Sequence, residues 1–385
     1  MGKTAYFDNA ATTFPKPEEV YNFTDKFYRE CGVNVGRGQY KLASRAMELV
    51  AETREILLAL SHCPNKKVVF THTATEALNL ILQGLSWQNN MTVYVSPFEH
   101  NAVMRVLMHL SKLYEIKIEM LAFNKEFFEY DIKSIREQFA VHSPNVIVVS
   151  HASNVCGVIA PIEEISALAK QYNSINVVDM CQTMGLIDTN LSSKTIDYIV
   201  FAGHKTLYAP LGVAGFICSA NANANPLMFG GSGIDSANEL LPNTIPERYE
   251  VGSQNIMAIA GLNASISWIE KQGIVQIRNQ ESENRLRLLK IFGKYDNIRV
   301  EPCGVEYNTV GVVSCTFDGY SSDSIGQILN DKGVAVRTGL HCAPNAHKFL
   351  GTFPSGTVRF SVGYFNGDDD FTILDKALSY IYENV

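Results

Sequence analysis

Short apolar runs rich in β-branched residues recur along this chain, and helical patterns separate them. Lys67–Thr71, Thr92–Ser96, Val146–Ser150, Asn176–Asp179 and Tyr198–Ala202 each read as a buried strand. Between them, Thr75–Leu85 follows a turn and Ile162–Tyr172 begins after Pro161, both patterned as helices. Strands that alternate with helices point to an α/β domain on a mainly parallel sheet. Such a sheet binds ligands at the carboxyl ends of its strands.

A long helical stretch, Asn255–Lys290, reads as the way out of this domain. Beyond it, Thr309–Phe317, Val334–Arg337 and Thr357–Val362 are strand-like, and Asp368–Glu383 is a closing helix. We expect a large α/β domain over 15–255. The N-terminal segment 1–14 and residues 256–385 then form a smaller C-terminal α/β domain. A chain of 385 residues, 46% of them hydrophobic, can fill two such cores.

The formal net charge of -7 gives no electrostatic footprint for nucleic acid or an anionic membrane surface. No apolar run reaches the length of a membrane span, and Met1–Asp8 lacks the basic start and apolar stretch of a signal peptide. A cytoplasmic globular protein is the expectation. The cysteines are scattered, without a CxxC pair, so neither a disulfide framework nor a structural zinc site is expected. Cys31, Cys63, Cys156, Cys181, Cys218, Cys303 and Cys315 read as buried small hydrophobes, and Cys342 as the exception.

Four segments carry chemistry. In Phe201–Thr206 (FAGHKT), Lys205 follows a buried strand amid glycines. Burial depresses a lysine's pKa and makes it a better nucleophile toward an aldehyde, although a surface loop lysine could also follow a strand. In Val177–Gln182 (VVDMCQ), Asp179 ends the preceding strand, either as a helix N-cap or as the acidic partner of a pyridine nitrogen. In Thr71–Ala77 (THTATEA), small and hydroxyl residues join a strand to a helix, which suits an anion site or a plain Thr cap. In Val336–Pro344 (VRTGLHCAP), Gly and Pro flank Cys342, which marks an exposed loop with either a reactive or an incidental thiol.

With these residues in place, the chain resembles the class V aminotransferase-fold enzymes of the cysteine desulfurase and selenocysteine lyase type, almost end to end. Tyr6–Thr13 resembles the family's opening and Thr73–Asn79 its phosphate loop. Glu99-His100-Asn101, Ser153–Gly157, Arg248–Asn255, Arg337–Ala343 and Thr357-Val358-Arg359 follow in the family's order.

The resemblance implies the fold-type-I architecture of pyridoxal 5'-phosphate enzymes. It implies a Schiff base with the cofactor on Lys205, which later shuttles the α-proton. Asp179 pairs with the pyridine nitrogen, Gln182 with the ring hydroxyl, and His100 stacks on the ring and serves acid–base steps. Ala74, Thr75 and His204 hold the phosphate, with Ser253 reaching in from the other subunit of a homodimer. Asn154 and Arg359 bind the substrate carboxylate. Cys342 attacks the sulfur of L-cysteine, giving L-alanine and a persulfide, which a sulfur-acceptor protein can take up. L-Selenocysteine is the close alternative substrate. An aminotransferase, epimerase or β-lyase would need Lys205 and Asp179 but not Cys342. A non-catalytic sulfur-relay component would need none of them.

This chain departs from the pattern at Leu340, at Ala202 (often Ser) and at Tyr40, which follows Arg37-Gly38-Gln39 where a His is common.

Overall fold

The computed structural model describes residues 4–36, 38–231, 233, 237–301 and 308–384. Arg37 and Cys303 lie outside them. The large sheet has seven strands: β1 (Lys67–Thr71), β2 (Thr92–Val95), β3 (Lys117–Met120), β4 (Val146–Ser150), β5 (Ile175–Asp179), β6 (Tyr198–Ala202) and β7 (Ala214–Cys218). Their order across the sheet is β1-β7-β6-β5-β4-β2-β3. Only β7 runs against its neighbours. β4, β5, β6 and β7 are buried at every residue, or at every residue but the first, as strands covered on both faces must be.

Glycines punctuate Gly212–Gly215 and mask the short strand β7 in the sequence. Gly215 has a physical reason to lack a side chain: a Cβ there would come within 2.0 Å of the Val69 carbonyl oxygen on β1. The expected helices after β1 and before β5 are present as Ala74–Gly84 and Ile162–Lys170.

The single stretch expected over Asn255–Lys290 is two helices, Ile256–Gln272 and Ile274–Phe292. They are separated by Gly273, whose φ of 86° no helix accommodates. The first is buried nearly all round and packs on helices Glu18–Cys31 and Lys41–Leu60.

The later part of the chain forms a four-stranded antiparallel sheet. Ile298–Glu301, Val312–Phe317, Thr357–Ser361 and Arg337–Gly339 lie side by side in that order. Thr309 precedes the strand expected to start there and makes an isolated bridge with Val158. Val334–Ala335 leaves this sheet to pair in parallel with Ala5–Tyr6. The chain's beginning is thereby tied to its end. Helix Asp368–Asn384 closes a separate apolar core with Phe7, Phe292 and Phe360. No helix among the described residues is long and apolar enough to cross a membrane.

Candidate active site

The carboxyl ends of β1, β2, β4, β5 and β6 open into one cleft of about 280 Å³. Ala74, Thr75, His100, Asn154, Asp179, Gln182, His204, Lys205, Cys342 and Arg359 all line it. Ser253 does not. It lies exposed in a separate hollow with Phe70, Thr71 and Tyr249. Its loop is pinned there by Glu250, which takes two hydrogen bonds from Arg54 (2.9 and 2.7 Å) and one from Phe70 N (2.6 Å).

β5 and β6 run parallel and adjacent, so Asp179 and the Gly203-His204-Lys205 turn emerge side by side. Asp179 Oδ1 accepts from Cys181 N (2.9 Å), which fixes the carboxylate on the turn. Lys205 Nζ has no hydrogen-bond partner among the described residues. Gln182 Nε2 donates to the Ala10 carbonyl (3.0 Å).

At the end of β1, Thr73 caps the next helix by accepting from Glu76 N (3.1 Å). The amides of Ala74 and Thr75 remain without partners among the described residues, which leaves the positive end of the helix facing the cleft. His204 Nδ1 is buried without a partner, and burial lowers this ring to about 4. Unpaired donors at a helix start, a carboxylate and an amine fit the phosphate, ring nitrogen and aldehyde of pyridoxal phosphate.

His100 caps helix Asn101–Leu113 through Nδ1, which accepts from Ala102 N (3.0 Å). Burial, with Lys205 adding to it, lowers the ring to about 4. It is therefore neutral at pH 7, and with Nδ1 accepting, its proton sits on Nε2.

Glu99, to which the sequence assigned no separate role, is fully buried beside it. It accepts from Ser96 Oγ (2.5 Å), Ser150 N (2.6 Å) and Ser150 Oγ (2.8 Å). Burial raises its carboxyl to about 7. These bonds lock the segment after β2 onto β4, whose Ser150 is in register with Asp179.

The opposite wall comes from the small sheet. Gly339 (φ 89°), His341 (φ 46°) and Cys342 (φ 57°) are left-handed, and the last two are costly for residues with a Cβ. The turn is held by Asn154 Nδ2 donating to the His341 carbonyl (2.8 Å) and Asn101 N to the Cys342 carbonyl (2.6 Å). Cys342 is exposed, while Cys31, Cys63, Cys156, Cys181, Cys218 and Cys315 are buried. His341 is buried, shares a hydrogen bond with Thr357 Oγ1 (2.9 Å), and is lowered to about 2 by burial. It is a strut of the turn and no base for Cys342.

Arg359 donates to the Asn154 carbonyl (3.0 Å) and to Asp8 Oδ1 (2.6 Å). Asp8 Oδ2 also receives Arg337 Nε (3.3 Å). Asp8 and Arg337 were read only as parts of longer motifs. Their meeting joins the chain's two ends, and no local pattern signals it.

The aminotransferase class-V family model matches residues 5–374. A probable cysteine desulfurase of Methanothermobacter thermautotrophicus is 28% identical over 387 residues, covering 98% of this chain and 94% of that protein. One of Xylella fastidiosa is 29% identical over 385 residues, covering 97% and 89%. The apo structure of a cysteine desulfurase from Thermococcus onnurineus NA1 superposes with a TM-score of 0.90 at 27% identity, over 99% of this chain and 95% of that one. With the family model spanning both sheets and both walls of the cleft, the chain belongs to the aminotransferase class-V family.

Proposed function

We propose that this protein is a pyridoxal-phosphate-dependent cysteine desulfurase that converts L-cysteine to L-alanine and leaves a persulfide on Cys342. The observation that carries the reading is the meeting of Lys205, Asp179 and His100 with an exposed Cys342 around one cleft. An aminotransferase, epimerase or β-lyase would have no use for that thiol.

In this reading Ala74, Thr75 and His204 hold the phosphate, and Ser253 of a second subunit completes the site in a homodimer. Gln182 faces the ring hydroxyl and His100 the ring. Lys205 carries the cofactor. When bound, the cofactor supplies an electron sink for the substrate's α-carbon.

The chain's own groups do the rest. Asp179 holds the proton on the ring nitrogen. Asn154 and the Arg359 fork orient the substrate carboxylate. The Lys205 amine moves the α-proton, and His100 donates a hydrogen bond from Nε2. The Cys342 thiolate forms an S–S bond to the substrate sulfur as the carbon–sulfur bond breaks, and the electron pair left on carbon is protonated to give alanine. A reduced cytoplasm, and an acceptor protein that takes the sulfur on, suit a thiol of this kind. The proposed domains are 15–255, and 1–14 with 256–385.

The test is alanine and sulfide formation from L-cysteine with reductant, wild type beside Cys342→Ala. Activity that vanishes in the variant while cofactor absorbance stays supports the reading. Undiminished sulfide release by Cys342→Ala would move the protein to lyase chemistry.

A further inference from the structure

The side chain of Arg359 is only 2% exposed, at the back of the cleft. A guanidinium taken out of water needs partners for its charge and its donors. Nη1 has the Asn154 carbonyl, Nη2 has Asp8 Oδ1, and Nε is buried without a partner. Two of the five donors are thus occupied by the protein, and Nη1 and Nη2 each keep a further hydrogen.

The residues that follow Asp8 are held from both sides of the cleft. On one side, Asn9 Nδ2 donates to the Ser361 carbonyl and Ala10 N to Ser361 Oγ, both at 2.9 Å. On the other, Thr13 Oγ1 donates to the Lys205 carbonyl (2.9 Å). The backbone that carries Asp8 is therefore anchored independently of the arginines, which bond its carboxylate. With Arg359 and Arg337 it forms a cluster of two positive charges and one negative, a net +1 that one further carboxylate neutralises.

We propose that Asp8 is a positioning and specificity-determining residue, which fixes the Arg359 fork and sets the cleft's charge to accept an α-amino acid with a single carboxylate. This rests on the reading of Arg359 as the substrate-carboxylate group. A dicarboxylic amino acid brings a surplus negative charge toward Asp8, and an amine without a carboxylate leaves Arg359's free donors unmet.

The test is calorimetric titration of L-alanine, L-aspartate and ethylamine into the cofactor-loaded protein, wild type beside Asp8→Asn, with melting temperature followed in parallel. Asparagine keeps the shape and removes the charge. Wild type is expected to prefer L-alanine to L-aspartate. In Asp8→Asn, L-alanine should bind about tenfold more weakly and its lead over L-aspartate should shrink, with ethylamine unmoved and melting unchanged. Unchanged or tighter L-alanine binding, or a parallel loss for ethylamine, overturns the inference. If Asp8→Asn does not fold, Asp8→Glu is titrated instead. It keeps the charge and shifts it by one methylene, so L-alanine should weaken while its lead over L-aspartate persists, and loss of that lead overturns the inference. A wild type that binds neither amino acid overturns the reading of Arg359 itself.

Discussion

The two walls of the cleft are built in opposite ways. One is the carboxyl edge of a mainly parallel sheet, where Thr73–Thr75, His100, Asp179 and Lys205 each end or follow a strand and take their place from strand order. The other is a left-handed turn and a buried arginine from a small antiparallel sheet, held by bonds to Asn101, Asn154 and Asp8, distant in sequence. The first wall rests on buried strands of the large sheet. The second is only as well placed as a few polar contacts make it. Chemistry common to many substrates suits the first wall, and chemistry that selects one substrate suits the second.

Substitutions that separate the walls sharpen this contrast. The largest effect is expected for Lys205→Ala, which should lose the cofactor's yellow absorbance after dialysis and slow turnover by about 10³-fold or more. Cys342→Ala should keep that absorbance. If the two variants lose it together, the walls are not independent.

Next is Arg359→Lys, which keeps a charge but loses the fork. KM for L-cysteine should rise by roughly 30–150-fold, the equivalent of about 2–3 kcal/mol for charged hydrogen bonds, with the absorbance unchanged. A variant with wild-type KM would remove Arg359 from substrate binding.

The smallest effect on turnover belongs to the first wall, where the change is read as stability. Glu99 ionises near 7 in the fold, against 4.5 ordinarily. Between those values the folded protein holds a proton that the unfolded chain has released, so this group's contribution to stability falls as pH rises from 4.5 to 7 and is flat above. Glu99→Gln removes that slope. Melted at pH 5 and at pH 8, the variant should gain relative to wild type at the higher pH, by about 2–3 kcal/mol. A pH-independent difference would mean that Glu99 does not carry the proton.

Legibility in the sequence followed the same division. The buried strands and the residues ending them were read from apolar runs and from the polar groups that stop them. The apolar pattern continues across Gly273, and periodicity does not register a single residue with φ at 86°. β7 was hidden by its glycines. Glu99 stands in the sequence only as part of Glu99-His100-Asn101, because the Ser96 and Ser150 that enclose it meet it through the fold.

The sequence by itself determined the α/β class, the family, and the lysine, aspartate and cysteine on which the proposed chemistry depends. Each of these is a local pattern, set by residue type and near neighbours. The folded chain was needed to show that Asp8 meets Arg359 and that His341 is a buried strut. Those facts depend on burial and on pairs up to 351 residues apart, and a charge or an imidazole acquires its role only when its surroundings close over it.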